Sequence, residues 1–132
     1  MIITICASLS FFDMSLSVKK ELEKLGHTVL WPLGMERRLK GIPHTKEPVI
    51  HGRAIRLHYR KIKKADAVLI VNEEKNGIKN YIGGNTLIEM GFAYVLKKKI
   101  YLLNPIPEGV SWKKEIVAMQ PVVLEGNLKL LK

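Results

Sequence analysis

The residue with the clearest chemical content is a carboxylate set alone in an apolar helix. Asn80-Tyr81-Ile82-Gly83-Gly84-Asn85-Thr86-Leu87-Ile88-Glu89-Met90-Gly91-Phe92-Ala93 begins as a glycine-rich turn and continues as a helix to about residue 96. From Thr86 onward the helix is apolar nearly all the way round, as buried helices are, and Glu89 is its one charge. Asn85 or Thr86 is expected as the N-cap, which places Glu89 in the first turn, where the helix dipole favours an anion. Two readings are open. Thr86-x-x-Glu89 fits a capping box, in which the glutamate bonds back to the cap backbone. Alternatively, Glu89 is an ionised carboxylate at the mouth of a cleft, with Gly83, Gly84 and Asn85 letting the backbone approach a ligand.

Other side chains offer less. His58 titrates near neutrality and is a candidate acid or base. It shares a helical face with Ile55, Ile62 and Ala65, where a satisfied core histidine is the plainer reading. His44, His51 and His58 are evenly spaced but lack an HxxxH pattern or an accompanying carboxylate set, so neither a metal site nor a cofactor is expected. Cys6, the only cysteine, reads as a buried strand residue, since no adjacent cation would lower its pKa. It has no internal disulfide partner, and a cytoplasmic location is expected. Ser8 and Ser10 follow the first strand as hydroxyls able to bond a ligand.

The 132 residues are expected to form a single domain, residues 1–132, with a substantial core. No apolar run is long enough to span a membrane. The net charge of +10 points to an anionic partner. No zinc-finger, homeodomain or RNP-type pattern accompanies it, so a small phosphorylated ligand ranks above nucleic acid.

Residues 2–7 read as a strand, followed by a helix capped by Asp13 or Ser15, with Leu16, Val18, Leu22 and Leu25 inward and Gly26 ending it. Residues 28–31 are a second strand, stopped by Pro32. Residues 33–52, rich in glycine and proline, read as a lid or binding loop or else a disordered segment, with room for a short helical turn. Residues 53–65 form a two-faced helix with Arg53, Arg56, Arg60, Lys63 and Lys64 outward. Strands follow at 67–71, 100–103 and 122–124, with a short helix at 111–119. This alternation predicts a three-layer α/β fold with a five-stranded parallel sheet in the flavodoxin-like, Rossmann-like order 2-1-3-4-5. Ligands in such sheets bind beyond the carboxyl ends of strands 1 and 3, where Ser8, Ser10, the glycine turn and Glu89 should meet.

Ala65-Asp66-Ala67-Val68-Leu69-Ile70-Val71, the glycine turn, Glu89-Met90-Gly91-Phe92-Ala93 and Lys99-Ile100-Tyr101-Leu102-Leu103 resemble the nucleoside 2-deoxyribosyltransferase superfamily, which includes the 2-deoxynucleoside 5-phosphate N-hydrolases. The resemblance is clearest from residue 58 to 104, and Cys6-Ala7-Ser8 resembles the Cys-Gly-Ser of the N-hydrolases' binding loop. It implies that Glu89 is the nucleophile at the anomeric carbon, that Ser8 contacts a phosphate, and that a homodimer or higher oligomer completes the site. The sequence departs from the family at His58 and Gly83, which stand at acidic or serine positions, at Ser10 in place of an arginine, and at Val117 in place of a serine from the neighbouring chain. The implied function is cleavage or transfer of the N-glycosidic bond of a (deoxy)nucleoside or nucleoside 5-phosphate. The alternative is a non-catalytic nucleotide-binding sensor or regulatory module, suggested by the missing helper residues. Nucleic-acid binding through the basic helix face is a third reading.

Overall fold

The computed structural model describes residues 1–45 and 47–131. Five strands, β1 (Ile2–Cys6), β2 (Thr28–Leu30), β3 (Ala67–Ile70), β4 (Lys99–Leu102) and β5 (Val122–Val123), form one sheet in the order β2-β1-β3-β4-β5. Every pairing is parallel. The expected α/β topology is therefore the observed one.

Alternation along the strands divides the core into two layers. Ile3, Ile5, Ala67, Leu69, Val71, Tyr101 and Leu103 face one side. They pack on Phe12, Val18 and Leu22 of α1 (Phe12–Lys24) and Met35 of α2 (Leu33–Leu39). Cys6, Val68, Ile70, Ile100 and Leu102 face the other side. There they meet Ile62 of α3 (Pro48–Lys64), Met90 and Ala93 of α4 (Gly84–Val95), and Ile116 of α5 (Lys113–Ala118). Cys6 thus lies on the face that carries α3 and α4. Among the described residues no helix is long and apolar enough to cross a membrane.

Several expectations need correction. Residues 33–52 are largely helical. Pro32 occupies the N-cap position of α2, whose Met35 is fully buried, and Pro48 sits in the first turn of α3, where its missing N–H costs nothing. Leu25 is 40% exposed because α1 ends one residue earlier, although Gly26, at φ +93°, terminates it as expected. The α4 N-cap is Gly83, with no side-chain cap bond, so Asn85 and Thr86 fall inside the first turn and Glu89 beyond it. The capping-box and first-turn dipole accounts of Glu89 are both overturned by that shift.

Asn72 fastens the carboxyl ends of the central strands. Its Nδ2 donates to the carbonyls of Asn104 and Pro105, each at 3.0 Å, and reaches that of Asn80 at 3.4 Å. Its Oδ1 accepts from the Asn104 N–H at 2.9 Å, and the Asn104 side chain donates to its carbonyl at 2.8 Å. Just beyond, Lys75 and Ile78 exchange backbone bonds across Asn76-Gly77. Both turn residues have positive φ, 52° and 80°, which is why an Asn-Gly pair suits this position.

Asn72 is fully buried, so truncating it orphans several polar groups at once. Asn72→Ala is expected to cost about 2–3 kcal/mol in urea unfolding. A cost below about 0.5 kcal/mol would contradict the fastening role.

Candidate functional site

Three segments distant in sequence converge where β1 and β3 diverge toward their neighbours. β1 ends at Cys6, α3 presents His58 one turn before its buried Ile62, and α4 presents Glu89. The cleft between them has a volume of about 300 Å³, at the small end for organic-ligand sites. Ala7 and Ser8 line one wall, Pro32 to Gly34 another, and Gly83 to Thr86 with Glu89 the helix side.

Glu89 is 14% exposed, so its carboxyl is mostly dry yet reaches the cleft. Burial pushes its pKa up to about 8, against the lowering effects of a hydrogen bond with Cys6 and the charge of Lys61. His58 is driven the other way, to about 4, by burial and by Lys61, with the Ile5 carbonyl weakly favouring the charged ring. Even so, Nδ1 has no partner that meets hydrogen-bond geometry. Nε2 lies 3.5 Å from Cys6 Sγ and 3.6 Å from Glu89 Oε2. The second separation is in ion-pair range, but at neutral pH the ring is neutral and the carboxyl largely protonated. We therefore read it as a contact between uncharged groups. Burial and Glu89 together raise the Cys6 thiol well above its ordinary value, so it is an S–H donor and not a thiolate.

The mouth of the cleft is polar. Lys75 Nζ donates to Ser8 Oγ at 3.3 Å and lies 5.6 Å from the centre of the Tyr81 ring. Asn85 Nδ2 donates to His51 Nε2 at 3.2 Å, with that nitrogen as acceptor, and joins the starts of α3 and α4. The first N–H groups of α4 have no intrahelical acceptor and give this wall a partial positive charge. A Cβ at Gly83 would come within 3.1 Å of the Tyr81 ring, so a larger residue there fits only if the ring gives way by a few tenths of an ångström. Gly84 meets nothing within 4 Å. It leaves room on the cleft side.

Of the residues singled out in the sequence, Ser8, His58, Gly83, Gly84, Asn85 and Glu89 all line this cleft. Ser10 does not; it is exposed in the short 3-10 turn Leu9–Phe11, where its N–H bonds Ser8 Oγ at 3.3 Å. The sequence reading missed Cys6 and Lys75 as site residues. Cys6 was legible only through strand alternation, as the last residue on the face toward α3 and α4. Lys75 was legible only as the cation on the incoming side of the Asn76-Gly77 turn, beyond the carboxyl end of β3.

No family model matches the chain, and no curated protein sequence matches it. Solved structures do. A 2-deoxyribosyltransferase from Bacillus psychrosaccharolyticus is similar with a TM-score of 0.57 at 18% identity, over 93% of this chain and 98% of that one. A CMP N-glycosidase from Clostridium botulinum is similar with a TM-score of 0.55 at 17% identity, over 93% of this chain and 85% of that one. The fold of this chain is theirs, as the sequence resemblance implied.

The two opposed pKa shifts make stability depend on pH in a defined way. Glu89 holds its proton in the folded protein up to about pH 8 but releases it near 4.5 when unfolded, so its contribution falls as pH rises between those values. His58 ionises near 6.5 when unfolded and near 4 when folded, so its contribution rises with pH across that window. The two nearly cancel from pH 4.5 to 6.5, and the Glu89 loss stands alone from 6.5 to 8. The wild-type protein should therefore lose about 2 kcal/mol over that upper window, and Glu89→Gln should lose little. Denaturation curves of both proteins at several pH values check this. Parallel behaviour of the two would contradict the raised pKa.

Proposed function

We propose that the chain acts as one domain that cleaves or transfers the N-glycosidic bond of a nucleoside 5-phosphate, with Glu89 as nucleophile. The observation that carries this reading is the Glu89 carboxyl opening into a cleft at the strand switch point. The fold shared with a 2-deoxyribosyltransferase and a CMP N-glycosidase supports the same class of reaction.

In the ionised form, Glu89 attacks the anomeric carbon, the carbon–nitrogen bond breaks, and the base leaves with its bonding electrons. The resulting glycosyl ester passes the sugar to water or to a second base. A carboxylate against the ring also stabilises the oxocarbenium-like transition state. Lys61 favours the ionised carboxyl electrostatically. His58 and Cys6 are positioning residues, and at a pKa of about 4 His58 is a poor general acid at neutral pH. Lys75, Ser8 and the first N–H groups of α4, with Gly84 and Asn85, supply donors for a phosphate. A homodimer remains part of the proposal, since Ile88, Tyr94 and Val95 are exposed on the helix that carries Glu89.

One observation favours the alternative of a non-catalytic nucleotide-binding module. A carboxyl with a pKa of about 8 is mostly uncharged at neutral pH and is then a weak nucleophile.

Chromatographic assay of free base, after incubation with deoxynucleoside monophosphates and with the matching nucleosides, separates the two. The enzyme reading expects base release that falls about 10³-fold or more in Glu89→Ala. It expects kcat/KM to rise with pH through about 8, as the free enzyme loses the Glu89 proton. Lys75→Ala should raise KM for the phosphorylated substrate and leave that for the nucleoside unchanged. Turnover that survives Glu89→Ala removes Glu89 from the mechanism. Tight nucleotide binding without base release supports the sensor.

A further inference from the structure

At the base of the cleft, His58 and Glu89 of its lining meet the fully buried Cys6, so that three side chains of metal-ligating type on three different elements come together. Cys6 Sγ, a His58 ring nitrogen and a Glu89 carboxylate oxygen lie within 4.8 Å of one another. The even spacing of His44, His51 and His58 gave no hint of this grouping, because two of its members lie far from that series in sequence. We propose that Cys6, His58 and Glu89 form a three-donor site for a zinc ion, with the fourth coordination position open to the cleft.

The geometry and the donor chemistry both support this. Zinc bonds of about 2.3 Å to sulfur and about 2.0–2.1 Å to nitrogen, opened to a tetrahedral angle, set those donors about 3.5 Å apart. The Cys6–His58 separation is 3.5 Å, and His58 to Glu89 is 3.6 Å. Thiolate, imidazole and carboxylate together suit zinc, whereas magnesium and calcium demand oxygen shells that this site lacks. Cys6 and His58 are 0% and 3% exposed, so their donors are held by packing and not by flexible surface side chains. Three protein ligands leave one position open, unlike the closed four-ligand shell of structural zinc sites.

The binding step balances in charge. Zn²⁺ enters, the Cys6 thiol proton and the Glu89 carboxyl proton leave to solvent, and neutral His58 gives up nothing. The two resulting anions cancel the charge of the ion, so no net charge is added to a dry site. Lys61 opposes a cation here, but its Nζ is tied to the Trp31 carbonyl at 2.8 Å and burial lowers its pKa.

A consequence follows that rests on the reading of Glu89 as nucleophile. Zinc takes the carboxylate electrons that would attack the sugar, so the bound ion is an inhibitor of base release.

The binding itself is tested without any substrate. Metal-free wild-type protein is titrated with Zn²⁺ by calorimetry and with Co²⁺ by absorbance. One ion per chain is expected, and Co²⁺ should give a thiolate-to-metal charge-transfer band. Cys6→Ala should lose that band. His58→Ala and Glu89→Gln should each weaken Zn²⁺ binding at least about tenfold. A double variant, His44→Asn with His51→Asn, should keep both signals, which separates this site from the other cleft histidines. Thermal melting of each metal-free variant verifies folding, and Glu89→Gln, which keeps the side-chain shape, carries the test if Cys6→Ala does not fold. Absence of stoichiometric binding overturns the inference, as does a Zn²⁺ affinity unchanged in both His58→Ala and Glu89→Gln. A protein that binds zinc but never releases base keeps this inference and loses the proposed reaction. One that releases base and binds no zinc does the reverse.

Discussion

The arrangement of this protein turns on the dehydration of one carboxyl group. Glu89 stands on α4 with its acid against the end of β1 and the inner face of α3, mostly shielded from water and lining the cleft. Losing solvent is what raises its pKa, and the same dryness lowers that of His58 and raises that of Cys6. The three groups stay together because in this state none must carry a charge. Lys61 is the cation that biases the balance toward ionisation. A site so poised changes state with a small electrostatic perturbation, such as an entering ligand or metal ion.

The fold supplies the means to hold that group. A parallel sheet buried on both faces fixes the end of β1, and the two core layers clamp it from either side. Asn72 joins the ends of β3 and β4 to the turn that precedes α4, and the Trp112 indole N–H donates to the Ile82 carbonyl at 2.8 Å. The entry to α4 is thus pinned at two points before the helix begins. Mouth and floor are built differently: the floor by packing, the mouth by polar side chains such as Lys75 and Asn85 that a ligand can recruit.

Much of the architecture was legible in the sequence because hydrophobic period and glycine placement report it directly. The unbroken apolar run of β3, Gly26 after α1 and the Asn76-Gly77 turn all read correctly. The start of α4 did not, because polar Asn85 looked like a better cap than Gly83, and the close approach of the Tyr81 ring to Gly83 is a tertiary fact. The helices within residues 33–52 were obscured by prolines that begin helices as readily as they end strands. Ser10 was assigned to the cleft by proximity in sequence to Ser8, yet a 3-10 turn rotates it outward. Cys6 read correctly as a buried strand residue, but its place in the site did not show, because a thiol in a strand has no local signal and its partners arrive from positions 52 and 83 residues away. Fold is written in periodicities; a site assembled from three segments is not.

The most direct test of this account is the titration of Glu89 itself, read as the carbon-13 chemical shift of its side-chain carboxyl in metal-free, ligand-free protein. A midpoint near pH 8 is the result that burial in this cleft predicts. A midpoint near the ordinary glutamate value of about 4.3 would show a solvated acid and contradict the account.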